Sequence, residues 1–381
     1  MTFVLSEEQA ALRESLRDIL SRHAPLSRVR AVIAEPHGYD EPLWRRLVEE
    51  IGVCGIGVPE EYGGAGEGFC ELAVVMGELG RSLTPVPFLS SSILAIRTLL
   101  ATRDAAACER WVPPLVTGDV VGTLAVLEQG QTWGAHDPKT VAVRAGKQWR
   151  LDGVKSYVTD ALAAEFFVVL AEAPDGPTLF AVRRGEGVDP EPLQSIDPTR
   201  PQGRLVLRQA AAEVIGTVGA AGEALGDSLV EATIALACEQ TGAAERCLEF
   251  TVDYAKTRTQ FGQPIGSFQS IKHILADRFL ANTTATAIAY GGAWAVDHDP
   301  THLGRHASLA KAYASQAFVE TAKASIQIHG GIGYTWEHDA HLYLKRALST
   351  NELLGAPRHH RALISASLLD QSSEVTCSAT A

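Results

Sequence analysis

The sequence predicts an α+β protein of several domains: an N-terminal all-helical domain, a small central β-barrel or β-sandwich domain, and a C-terminal four-helix bundle. The spacing of apolar residues is helical to about residue 118, and short β-branched and aromatic runs replace it over about 119–222. Ala-rich helical stretches then return over 223–369. A chain of 381 residues with 46% hydrophobic content has room for two or three packed units.

The first domain begins with a recognisable helix start. Ser6 suits the N-cap, and Gln9 stands where it completes a capping box. One apolar face follows, made by Leu12, Leu16, Ile19 and Leu20. The segment GVPEEYGGAG at 57–66 is rich in turn-forming residues, so it interrupts the helical pattern.

The strands of the second domain and the helices of the third are marked by length and composition. Strand candidates bounded by Gly, Pro or Asp lie at 120–127, 141–143, 166–170 and 178–182. Long helical stretches lie at 232–254, 271–296 and 309–328. Residues 370–381 are small and polar, so we expect a flexible tail.

Charge and composition exclude several functional classes. The net charge of −12 and the absence of a long basic run argue against a nucleic-acid partner. No stretch reads as a signal peptide or as about 18 consecutive apolar residues, so we expect a cytoplasmic protein without a membrane span. The six cysteines show no CxxC spacing, and His338, Asp339 and His341 have no supporting ligand pattern. No metal site is predicted.

The segment RTQFGQPIGSFQ at 258–269 carries groups suited to a dinucleotide. The guanidinium of Arg258 can pair with a pyrophosphate, and Phe261 and Ile265 offer apolar surface to an adenine or its surroundings. Gln269 can both donate and accept hydrogen bonds. The alternative is that Arg258 caps a helix C-terminus and Phe261 fills the core.

A second such segment, QIHGGIGYT, lies at 327–335. Gln327 can donate and accept, and Gly330 and Gly331 let backbone N–H groups come close to phosphate or ribose. By contrast, the neighbouring cations Lys345 and Arg346 are expected on a solvated helical face.

Four segments in this order resemble those of the acyl-CoA dehydrogenase family: 57–66, DGVKSYVT at 152–159, 258–269 and 327–335. The resemblance implies the three-domain fold, FAD as cofactor and an oligomer in which 258–269 and 327–335 meet FAD held largely by a neighbouring subunit. It also implies an acyl-CoA substrate, loss of an alpha proton and beta hydride to give the 2,3-enoyl-CoA, and an electron-transferring flavoprotein as acceptor.

Two further positions follow from the resemblance, and one loop departs from it. Thr159 falls where the family places a hydroxyl near the flavin ring, and Tyr157 takes a position usually held by tryptophan. Both also suit an ordinary strand. The loop LEQGQTWG at 127–134 keeps Glu128 and Gly130 of the family pattern but lacks its Thr and Ser-Asp groups, for which Thr132 is the remaining substitute.

The catalytic base is the least regular part of the pattern. Leu354 stands where most members carry the glutamate, and Ala232 stands where others carry it. Glu231, one residue away, is the first candidate; Glu239 and Glu352 are the others.

Three functions remain open on the sequence. The favoured one is an FAD-dependent acyl-CoA dehydrogenase, active as a homo-oligomer of two or four chains. The second is a non-catalytic or half-site partner subunit in a hetero-oligomer with a homologous chain, since the base and the ring-binding loop are altered. The third is a relative that uses flavin for other chemistry.

Overall fold

The computed structural model describes residues 5–35, 38–133, 137–146 and 148–378, with side chains described to residue 369. The first domain is helical, as predicted. Its α-helices are α1 Glu7–His23, α2 Leu26–Val32, α3 Glu41–Arg46, α4 Phe69–Arg81, α5 Arg97–Ala101 and α6 Ala105–Val116. π-helical turns at Leu47–Ile51 and Leu89–Ile96 continue α3 and lead into α5.

The start of α1 confirms the capping box. The Ser6 hydroxyl accepts from the Gln9 backbone N–H at 3.1 Å, and the Gln9 side chain accepts from the Ser6 N–H at 3.1 Å. The predicted apolar face also points inward, because Leu16, Ile19 and Leu20 are buried and pack in the main core.

The central domain is a seven-stranded sheet that curls back on itself. Its strands are β1 Gly122–Ala125, β2 Val141–Ala145, β3 Gln148–Thr159, β4 Phe166–Ala173, β5 Gly176–Arg183, β6 Val188–Leu193 and β7 Gln202–Ile215. β4 pairs with β1, β2 and β5, and β7 pairs with β3, β5 and β6. These pairings close a ring through β2, β3, β7, β5 and β4, so the predicted barrel-like domain is present.

The third domain is a bundle of long helices: α7 Ala221–Thr257, α8 Gln269–His298, α9 Leu303–His329, α10 Ala340–Glu352 and α11 Pro357–Ser378. The two-stranded hairpin of β8 Thr259–Gln260 and β9 Gln263–Pro264 joins α7 to α8. α7 has 37 residues and packs against α4, α8 and α9. It therefore connects the first domain to the bundle.

The segment expected to be a flexible tail from residue 370 is helical as far as Ser378, and residues 379–381 lie outside the described residues. No helix in the described ranges is long and apolar enough to cross a membrane. The five cysteines with described side chains are buried and free, as expected.

Candidate functional site

A cavity of about 790 Å³ lies between the β domain and the bundle. The β domain contributes Tyr157, the loop residues 194–196, and Gln131 to Trp133 of the altered loop. The end of α10 and the start of α11 form the opposite wall, which includes Glu352, Gly355 and Arg358. The cavity thus brings Tyr157 together with one of the three candidate glutamates.

Tyr157 faces this cavity because its strand is irregular. The register between β3 and β7 shifts between Lys155 and Val158, and Tyr157 takes a left-handed φ of 58°. Its side chain is 43% exposed although its neighbours on the strand are buried. A left-handed backbone at a bulky residue is strained, and such strain is often found at binding sites.

Thr159 lies deeper than expected. The residue is 2% exposed, and it pairs across the sheet with Gln202, which lines the cavity. Its carbonyl accepts a hydrogen bond from Thr123 Oγ1 at 2.7 Å. Thr132, the substitute considered for the missing loop hydroxyl, does line the cavity.

Glu128, which the altered loop keeps from the family pattern, has a partner that the sequence did not predict. Its Oε1 accepts from the buried Lys155 ammonium at 2.7 Å and from the Thr140 backbone N–H at 2.8 Å. Burial raises the pKa of the Glu128 carboxyl, but the Lys155 contact outweighs burial and leaves that pKa below its ordinary value. Glu128 and Lys155 therefore tie the loop to β3. Lys155 lies in the DGVKSYVT segment, which resembles the family as the loop around Glu128 does. A pairing of these two opposite charges could therefore have been predicted from the sequence.

Glu231, the first candidate base, is not among the residues that line the cavity beside Tyr157. Both of its carboxylate oxygens accept from Arg97, at 2.6 and 2.8 Å, and Arg97 also donates to the Gly57 carbonyl at 3.0 Å. This contact ties α7 to the GVPEEYGGAG segment of the first domain. The two parallel N–H donors of Arg97 occupy both oxygens of the Glu231 carboxylate.

Glu239, the second candidate, is 2% exposed and belongs to a buried charge cluster with Arg200 and Arg346. Arg346 donates to its Oε1 at 2.7 Å. Burial raises the pKa of the Glu239 carboxyl, but the two guanidiniums outweigh burial and lower that pKa overall. The expectation that Arg346 lies on a solvated face is wrong: it is 1% exposed, because the loop 197–200 covers it.

The same cluster extends to Asp197 and Asp160. Arg346 Nε lies 2.8 Å from Asp197 Oδ2, and Arg346 Nη2 donates to the Thr199 carbonyl at 2.9 Å. Asp160, next to Thr159, accepts from the Ser90 hydroxyl at 2.6 Å. Burial raises the pKa of Asp160 to about 6. These charges connect all three domains beside the cavity.

Glu352, the third candidate, is the one that borders the cavity. It is exposed, and its Oε1 accepts from Asn351 Nδ2 at 2.7 Å. Leu354, at the position usually held by the base, is 4% exposed and has a left-handed φ of 57°. Leu354 therefore places a buried hydrocarbon side chain, between the lining residues Leu353 and Gly355, where the resemblance expects a carboxylate.

The 258–269 segment forms a second feature, at the end of α7. Arg258 and Ile265 are joined by a 2.8 Å backbone hydrogen bond that closes the hairpin of β8 and β9. Phe261 and Gly262 at its tip have φ of 52° and 77°, as in a type I′ turn. Phe261 is 92% exposed, so it does not fill the core. The backbone of Arg258 does cap α7, by donating to the Tyr254 carbonyl at 2.8 Å.

Ile265 has a different position from Phe261. It is 8% exposed and packs with Ala255 and Ile328 in a small apolar core. Its side chain therefore anchors the hairpin to the end of α9 instead of offering surface to an adenine. This core brings Gln269, at the start of α8, together with the end of α9.

The end of α9 completes this second feature. Gln327, Gly330 and Gly331 are exposed there, and Gly330 has a left-handed φ of 64°. His329 between them is buried, stacks on Tyr254 at 4.3 Å and has a pKa lowered by burial. Arg258, Phe261, Gln269, Gln327, Gly330 and Gly331 therefore form one exposed group, which we call the hairpin face.

The hairpin face and the cavity lie at different levels of the bundle. Glu239, beside which the β domain docks, is 18 residues before Thr257 on one continuous helix. At 1.5 Å per residue this is about 27 Å along the axis. No group of three or more His, Cys, Asp or Glu within the described ranges is placed to hold a metal ion.

Comparisons with known proteins match this arrangement. Residues 6–119 match the family model described as acyl-CoA dehydrogenase, N-terminal domain, and residues 223–369 match acyl-CoA dehydrogenase, C-terminal domain. The chain belongs to the acyl-CoA dehydrogenase family. It is 36% identical to the acyl-CoA dehydrogenase IpdE2 of Mycobacterium tuberculosis over 352 residues, which cover 92% of this chain and 94% of the relative.

Two solved structures of related assemblies are similar over nearly the whole chain. The ChsE4-ChsE5 complex from Mycobacterium tuberculosis has a chain 28% identical, with a TM-score of 0.87 over 97% of this chain and 99% of that one. A variant of the Tcur3481-Tcur3483 steroid ACAD has a chain 30% identical, with a TM-score of 0.85 over 96% and 99%.

Members of the acyl-CoA dehydrogenase family are FAD-dependent oxidoreductases, and membership assigns this chain to FAD-dependent acyl-CoA oxidation. The donor set on the hairpin face fits that cofactor, since it combines the Arg258 cation, an exposed aromatic ring and open glycine backbone. The cavity beside Tyr157 has the volume and the mixed polar and apolar lining of a ligand site.

Proposed function

We propose that this chain is a subunit of an FAD-dependent acyl-CoA dehydrogenase in which each FAD is shared between two chains. The separation of the hairpin face from the cavity carries this proposal, because about 27 Å of α7 lies between Glu239, beside which the β domain docks, and Thr257, which directly precedes the hairpin. One chain would supply the cavity wall beside Tyr157, and its neighbour would supply Arg258, Phe261, Gln269, Gln327, Gly330 and Gly331.

The residues have distinct parts in this reaction. FAD, when bound, supplies the acceptor for the hydride that leaves the beta carbon of the acyl thioester. Tyr157 would stack beside the ring and Thr132 would donate to its edge, while Thr159 would support the strand below. Arg258 would pair with pyrophosphate and Phe261 would cover the adenine, while Ile265 would hold the hairpin in place.

The alpha proton needs a base, and Glu352 is the candidate favoured by position, since it borders the cavity. Glu231 as the catalytic base remains a prediction, and its ion pair with Arg97 disfavours that role. The test is reduction of bound flavin by an acyl-CoA in Glu352→Gln and Glu231→Gln. We expect Glu352→Gln to lose reduction while keeping FAD, and Glu231→Gln to keep both. Reduction at the parent rate by Glu352→Gln rejects this base.

A second candidate function is a half-site partner subunit, with a homologous chain supplying the base. Leu354 favours it, because a leucine cannot take a proton and stands, buried, at the sequence position where the resemblance expects the base. The matched ChsE4-ChsE5 complex contains two different named chains. A purified chain that is colourless alone and gains flavin with a co-expressed homologue supports this candidate, whereas a yellow homo-oligomer bleached by acyl-CoA supports the first.

The substrate and the partners belong to the proposal as well. We place the protein in the cytoplasm with an electron-transferring flavoprotein as acceptor, and with a homo-oligomer or a hetero-oligomer as the working form. The substrate panel should include an acyl-CoA with a steroid ring system as well as short linear thioesters, because one matched structure is a steroid ACAD. Dye reduction with each thioester measures the preference directly.

A further inference from the structure

The end of α10, which forms one wall of the cavity, is held by side chains from other helices. The Thr350 carbonyl accepts from Lys311 Nζ of α9 at 2.9 Å and from Gln240 Nε2 of α7 at 3.0 Å. Lys311 also donates to the Asn351 carbonyl at 3.2 Å. Carbonyls at a helix end have no partner within the helix, so these side chains satisfy them.

Lys311 is matched to this position. Its side chain is 0% exposed, and an ammonium has three N–H donors. The third donor bonds to Ser315 Oγ at 2.9 Å, so three donors meet three acceptors. Burial lowers the pKa of Lys311 to about 7, and the nearby Glu352 carboxylate opposes this effect. Burial of an amine is costly, and its retention here calls for a role.

The segment that follows lines the cavity in a strained conformation. Leu354 and Gly355 have φ of 57° and 98°. His360 of α11 holds this turn, because its Nε2 lies 2.9 Å from the Leu354 carbonyl. Burial lowers the pKa of His360 to about 4, so its ring is neutral and donates one N–H to that carbonyl. The wall is therefore fixed at one end by Lys311 and at the other by His360.

We propose that Lys311 is a positioning residue for the cavity wall: it holds residues 350–355 in the conformation that the bound flavin and thioester meet, without touching either. The consequence for ligands rests on the proposed function, whereas the hold on the wall does not. Lys323 gives a matched control, because it lies on the same helix but is exposed and paired with Glu320 at 3.0 Å.

The test is backbone amide exchange of the full chain, measured by mass spectrometry for Lys311→Met and Lys323→Met. Methionine keeps the length of the buried stem and removes all three donors, so two carbonyls of the wall lose a partner. We expect exchange in residues 351–356 to rise roughly tenfold in Lys311→Met and to stay at the parent rate in Lys323→Met. If Lys311→Met does not fold, Ser315→Ala removes one of the three acceptors and should raise exchange there roughly threefold.

Unchanged exchange at the wall, or an equal rise throughout α9 to α11, overturns the proposal. FAD affinity, measured by fluorescence titration of the same variants in the assembled oligomer, separates it from the proposed function. Weaker FAD binding in Lys311→Met than in Lys323→Met supports the wall as part of the flavin site. Faster exchange with unchanged FAD affinity keeps the positioning role and contradicts the cavity as the flavin site.

Discussion

The cavity and the hairpin face place their polar groups in opposite ways. Behind the cavity walls lie buried charges that are paired within the chain, as with Lys155 and Glu128 or Arg346 and Glu239. On the hairpin face Arg258 is exposed, and Phe261 is 92% exposed, with the edge contact to the Phe268 ring leaving most of its surface open. The buried pairs of the first region satisfy one another within the chain, whereas the second region has the composition of a surface that meets another molecule.

This difference reduces the number of glutamates that are available as the catalytic base. Two of them, Glu231 and Glu239, are held by guanidiniums that connect domains. These ion pairs favour structural roles for both, and of the three candidates Glu352 is the one that lines the cavity. A shared site lets a chain keep its hairpin face while its own cavity loses a catalytic group.

The largest expected effect is on the free energy of unfolding, which should respond to the loss of a buried arginine but not to the loss of an exposed one. Arg346→Met leaves Glu239 and Asp197 with less compensation in the interior, and we expect the free energy of unfolding to fall by about 3–5 kcal/mol. Arg258→Met should change it by less than about 0.5 kcal/mol, because the side chain is exposed. Denaturant unfolding of both variants measures this, and equal losses would remove the contrast.

A smaller effect is the pH dependence of the unfolding free energy that Asp160, in the buried charge cluster, contributes. Asp160 has a folded pKa of about 6, above the ordinary value of 3.8, so the folded state binds more protons between these values. Its contribution to stability is present below about pH 4 and is lost as the pH rises through 6. Between pH 4 and pH 7, we expect the free energy of unfolding of Asp160→Asn to rise by about 2 kcal/mol relative to that of the parent protein. Parallel unfolding curves at several pH values test it; a constant difference would refute it.

The smallest effect concerns the backbone of the hairpin face. Gly330 has a left-handed φ of 64°, so Gly330→Ala should cost about 1 kcal/mol of unfolding free energy. Gly331 has open space around its missing side chain and no left-handed φ, so Gly331→Ala serves as the matched control with a change below about 0.5 kcal/mol. Thermal unfolding of the two variants measures these losses. Equal losses of unfolding free energy would show that the left-handed backbone does not require glycine at position 330.

The sequence predicted the order of domains and the capping box because both depend on local spacing. The resemblance also implied that 258–269 and 327–335 meet the same cofactor, and the core shared by Ile265 and Ile328 brings the two segments together. The sequence could not predict that Arg346 is buried, because a loop of the β domain, far away in sequence, covers it. The pairing of Glu231 with Arg97 and the bonds from Lys311 to the end of α10 were missed for the same reason, since they join different helices.

The shared site is the central claim, and FAD affinity of the assembled oligomer tests it most directly. The comparison is between Arg258→Leu and Lys256→Leu, two exposed cations at the end of the same helix. We predict that Arg258→Leu weakens FAD binding by roughly 10- to 100-fold, as expected for a lost charge-assisted pair, and that Lys256→Leu leaves it unchanged. Equal FAD affinity in the two variants would contradict the account.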